Sequence, residues 1–115
     1  MRAKQLDRRK ALHWLGGDER LFAKVTTIFV NNIPAQVEAL KGFIEAGDND
    51  ATERAAHTIM GSSAMMGAAV MSEEAGKIER SAMKADMAAA RLHYARFVEA
   101  YEKVMAELAA DGEGS

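Results

Sequence analysis

The chain has 115 residues, room for one compact domain and too few for two. Hydrophobic residues make up 49% of it, enough for a packed core and against intrinsic disorder. A net charge of -2 gives no reason to expect nucleic-acid binding, and the lack of cysteine excludes disulfides, thiolate metal sites and thiol nucleophiles.

No apolar run approaches the roughly 20 residues that span a bilayer. No apolar stretch of signal-peptide length follows the basic start at Arg2, Lys4, Arg8, Arg9 and Lys10, so a cytoplasmic protein is expected. Proline occurs once, while alanine, methionine and charged residues abound, which favours helix.

The punctuation predicts five helices. The first runs from about Asp7 to Leu15, capped by Asp7 and ended by Gly16-Gly17, with Trp14 expected to pack it onto the bundle. Asp18 caps a long second helix, 19–46, with Leu21, Val25, Ile28, Phe29, Val37, Leu40 and Ile44 at helical spacing. Pro34 inside it removes one hydrogen bond and is expected to kink it. Asp50 and Glu53 have capping-box spacing at the start of a third helix, 50–66, stopped by Gly67. The fourth, 69–84, has Met71, Ala75, Ile78 and Ala82 on one face. Asp86 caps the fifth, 87–109, whose stripe is Met87, Ala90, Tyr94, Phe97, Tyr101, Met105 and Leu108 beside Val98 and Val104. Residues 110–115 are expected to form a disordered tail. This is an all-α pattern. It predicts one domain, an antiparallel up-down-up-down four-helix bundle with a short additional N-terminal helix.

Residues 55–67, AAHTIMGSSAMMG, carry the unusual chemistry. With Ala55, Ile59, Ser62 and Met66 taken as the buried stripe, His57 falls about 200° from Ile59 and points to solvent. Glu53, Arg54, Met60, Gly61 and Ala64 share its face. Gly61 sits mid-helix, where glycine costs about 1 kcal/mol relative to alanine. One turn beyond a histidine, it removes bulk and lets a partner surface approach the ring. Ala64 continues that low strip, and Met60 and Met65 flank it with soft apolar surface.

This stretch resembles the histidine phosphotransfer (HPt) family, whose motif reads His-x-Leu-Lys-Gly-Ser-Ser/Ala, then a Leu-Gly pair, then a Leu-Glu pair. His57, Ile59, Gly61, Ser62 and Ser63 match its first part, Met66-Gly67 the second and Ile78-Glu79 the third. LGGDERL at 15–21 and Gly47-Asp48 resemble the family's loops, so the likeness covers about residues 6–108. One position departs: where the family has lysine three residues after the histidine, this chain has Met60.

The resemblance implies a phosphocarrier without kinase or nucleotide-binding activity of its own; the chain has no Gly-rich phosphate loop. His57 Nε2 would accept a phosphoryl group from the aspartyl phosphate of a receiver domain and pass it to another receiver. Glu79 would orient the ring, and Glu53, Arg54, Met60, Gly61, Ala64 and Met65 would dock the partner. The partners implied are response-regulator receiver domains or a hybrid sensor histidine kinase, with Mg²⁺ held by the receiver and no cofactor or metal held by this chain. A monomer is the state the family implies. The runner-up is an HPt-like binding module that docks a response regulator without transfer, an alternative that the Met60 departure keeps open. A third reading is a bundle holding a cofactor or metal, but His13 and His93 are isolated and no two histidines share a turn.

Overall fold

The computed structural model describes residues 5–113, with side chains described as far as residue 110. Arg2 and Lys4 of the basic start and Gly114 and Ser115 of the tail lie outside the described residues. Five helices follow one another: α1 (Arg8–Trp14), α2 (Glu19–Glu45), α3 (Asn49–Met65), α4 (Ala69–Met83) and α5 (Met87–Glu113). An isolated bridge between Leu6 and Ala68 is the one extended pairing among the described residues.

Aspartate begins four of the five helices. Asp7 accepts from the Lys10 amide at 3.0 Å, Asp18 from the Arg20 and Leu21 amides, Asp48 from Ala51 and Asp86 from Ala89. Each carboxylate satisfies free amides of the first turn and meets the positive end of the helix dipole. The cap of α3 is therefore Asp48 and not Asp50, which lies in its first turn. Gly47 and Gly67, at φ +69° and +74°, close α2 and α3 in the left-handed conformation that other residues adopt with strain. α2 stays helical through Pro34, whose ring lies on the exposed side. α5 reaches Glu113, so residues 110–113, expected in a disordered tail, are helical: Ala109 and Ala110 favour helix and no proline stops it.

One core runs between the helices. α4 contributes Met71, Ala75, Ile78 and Ala82, the four residues its periodicity predicts. α2 contributes Phe22, Phe29, Ile33, Val37, Leu40 and Ile44, while Leu21 and Ile28 of the expected stripe are exposed. The apolar face of α2 is wider than its contact with the core, and packing selects Phe22 and Ile33. α5 buries Ala90, Phe97, Ala100 and Val104; Tyr94 and Tyr101 sit half-buried beside them. Burial, with Glu38 and Glu45 of α2 close by, raises the Tyr94 phenol above its ordinary pKa.

α1 is moored by polar contacts more than by apolar burial. The Asp7 amide donates to the Gly67 carbonyl at 2.8 Å, and the Gln5 and Leu6 amides donate to the Glu107 carboxylate at 2.7 and 3.1 Å. Arg8 pairs with Glu19 at 3.5 Å and lies 4.9 Å from the centre of the Phe22 ring. Only Ala11 of this helix is fully buried. Trp14, expected to pack α1 onto the bundle, is 67% exposed. The inward place goes to Leu15, about 100° further round.

Candidate functional site

α3 holds the candidate histidine near its middle, where the backbone is fixed by helix on both sides. Its buried face is Thr52, Ala56, Ile59, Ser63 and Met66. The expected stripe included Ala55 and Ser62, which are half-buried; the helix is turned by roughly half a residue step from that expectation. The turn leaves His57 on the surface, with 66% of its side chain exposed.

The ring does not stand alone. Glu79, from the far end of α4, places Oε2 2.7 Å from His57 Nδ1. The Glu79 side chain is only 16% exposed. An ionised carboxylate can only accept, so in the neutral imidazole this contact favours the tautomer with its proton on Nδ1 and its lone pair on Nε2. α4 delivers the carboxylate because Ile78, one residue earlier, is locked in the core. A second bond ties the same two helices: Ser72 Oγ donates to the Met60 carbonyl at 2.9 Å.

The other residues read from the sequence divide. Gly61 and Ala64 are exposed, and a Cβ on Gly61 would meet nothing within 4 Å, so the space above it is open. Arg54 and Met65 are exposed on the same helix. Glu53 and Met60 are half-buried. Met60 is thus less available for docking than its spacing implied; its side chain lies against Gly76 of α4.

Beside Gly61, Ala64 and Met65 opens a groove of about 600 Å³, walled by Trp14 and Lys10 of α1 and by Ser72 and Glu73 of α4. Sequence reasoning missed Trp14 and Lys10 as neighbours of this strip. The signal was a large aromatic on a helix with only Ala11, Leu12 and Leu15 to turn inward.

The remaining histidines lie apart. His13 is exposed at the end of α1. His93 of α5 is 20% exposed, with Nδ1 3.4 Å from Oε2 of Glu74, a buried carboxylate that Lys77 also approaches at 3.2 Å. Among the described residues no three His, Asp or Glu side chains gather as a metal site would, and no helix is long and apolar enough to cross a membrane.

A five-helix chain with an exposed imidazole in the middle of a helix, backed by a carboxylate from the next helix, has the form of a histidine phosphotransfer module. The family model of the Hpt domain matches residues 24–111, and the chain belongs to that family. It is thereby a phosphotransfer-type module of two-component signalling, and Hpt domains work with receiver domains and kinases in phosphorelays. The match begins in α2, so α1 and LGGDERL lie outside it. No curated protein and no solved structure gives a match.

Proposed function

We propose that His57 is the phosphoacceptor of a phosphorelay, taking a phosphoryl group from a receiver aspartyl phosphate and giving it to another receiver aspartate. The observation that carries this reading is the 2.7 Å contact between His57 Nδ1 and Glu79 on a ring that is otherwise exposed. The Nε2 lone pair attacks phosphorus in line as the bond to the aspartyl oxygen breaks, and the electron pair leaves with the carboxylate. The imidazole gains positive charge, which the Glu79 carboxylate stabilises while holding the Nδ1 proton. Little other covalent machinery is needed, since such transfer depends on positioning and charge. Mg²⁺ belongs to the receiver in this scheme, and this chain supplies no cofactor.

Gly61 and Ala64 are assigned to partner approach, with Arg54, Glu53, Met60 and Met65 around them. The four long helices are read as alternating in direction, which sets α3 and α4 side by side with their residues paired in opposite order. The chain is taken to act as a monomer in the cytoplasm.

The second reading, docking without transfer, is kept because Met60 puts no charge beside His57. Incubation with a phosphorylated receiver separates the two. Transfer gives an acid-labile, alkali-stable label on the chain; binding without label favours the second reading.

A further inference from the structure

We infer that Arg80 supplies the positive charge that meets the phosphoryl group on His57. Gly76 is a buried glycine in the middle of α4. A Cβ there would stand 3.1 Å from Met60 Sδ and 3.3 Å from Arg80 Nη1. The space that glycine leaves is therefore filled from two sides, by a thioether from α3 and by a guanidinium from α4 itself.

Arg80 turns back along its own helix, toward the N-terminus of α4, as helical side chains do. Pairings between α3 and α4 run in opposite order: Glu79 meets His57, while Gly76 and Ser72 meet Met60. Turning back along α4 thus carries the guanidinium from the level of His57 to the next turn of α3. That turn holds Gly61, over which the surface is open. The guanidinium therefore stands beside Met60, the residue three after His57.

Its charge is also free. Arg80 enters no ion pair among the described residues, although Glu79 precedes it. Glu79 is taken by His57, and Glu73 and Glu74 are both approached by Lys77. Glu79 beneath the imidazole and half-buried Glu53 on the same face give the site acidic groups of its own. A phosphoryl group adds up to two negative charges to it. A planar, permanently charged guanidinium can donate to two phosphoryl oxygens at once. The Met60 thioether gives it an uncharged support that does not compete with the phosphate.

This assignment rests on His57 carrying the phosphoryl group. The test uses the full chain and phosphoramidate, a small donor that needs no partner protein. Arg80→Ala is expected to slow phosphohistidine formation about fivefold, the upper range for an exposed ion pair. It should also raise the second pKa of the phosphoryl group, followed by ³¹P NMR, by roughly half a unit, because a nearby cation favours the dianion. Arg80→Lys keeps the charge and should restore most of both. An Arg80→Ala variant that labels on His57 with wild-type rate, or labels slowly with an unmoved phosphoryl pKa, overturns the role of Arg80 and leaves His57 as acceptor. Failure of the wild-type chain to label on His57 overturns both.

Discussion

Two histidine–glutamate pairs sit on opposite flanks of α4. His57 and Glu79 meet at 2.7 Å, with the ring 66% exposed and the carboxylate 16% exposed. His93 and Glu74 approach only to 3.4 Å, with side chains 20% and 10% exposed. In the second pair Glu74 also faces Lys77, and neither His93 Nδ1 nor Glu74 Oε2 completes a hydrogen bond. The same two residue types thus do different things. The α4–α5 pair keeps both partners largely covered between two helices. The α3–α4 pair buries the carboxylate and leaves the imidazole outside, so that one ring nitrogen is fixed and the other is free to react. On the proposed function, position relative to the core, not the presence of a histidine–carboxylate contact, is what distinguishes the two pairs.

The sharpest test of that contrast replaces each histidine in turn. His57→Gln should abolish the acid-labile label completely, while His93→Gln should keep it; equal labelling of both variants would erase the distinction. Next is access. Gly61→Gln meets no atoms of its own chain and is a better helix former, so the fold should hold. Transfer from a receiver should nonetheless fall on the order of a hundredfold, the scale of a misplaced reactant. Glu79→Ala should slow transfer roughly ten- to a hundredfold, as loss of a ring-orienting partner does elsewhere. Circular dichroism should show the helices intact, and an unchanged rate would remove Glu79 from the chemistry. Glu74→Ala should do the converse: label forms normally, while stability drops by about 1–3 kcal/mol, the cost of leaving a buried polar partner unsatisfied, a fall of several degrees in Tm. The smallest effect is expected from Met60→Lys, a severalfold gain in phosphohistidine lifetime that time-course dephosphorylation can resolve.

Much of this arrangement is legible in the sequence. Asp7, Asp18 and Asp86 cap the helices they were expected to cap, and all four residues of the α4 stripe are buried. The outward direction of His57 and the open space over Gly61 follow from helical spacing alone. The α3 stripe was less determined, for a physical reason: Ala55 and Ala56 are chemically the same, as are Ser62 and Ser63. Either pair fits the spacing from Ile59, and only packing against the neighbouring helices selects Ala56 and Ser63. In α2 the wide apolar face hid the preference for Phe22 and Ile33. Contacts between distant residues were illegible for another reason. The family likeness, and not periodicity, brought Glu79 to His57. Nothing in the sequence joins Glu74 to His93, or turns Arg80 back over Gly76.

Glu74 and Glu79 are five residues apart, so their side chains leave α4 about 140° from one another. A rod with two pegs at a fixed angle between two walls has a single seating in which each peg meets its wall. Rolling α4 toward α5 would draw Glu79 off the ring of His57, and rolling it toward α3 would open the contact with His93. The orientation of α4 that seats Glu79 on His57 is thus the same one that brings Glu74 to His93, and loosening the second contact is expected to cost stability before it costs alignment.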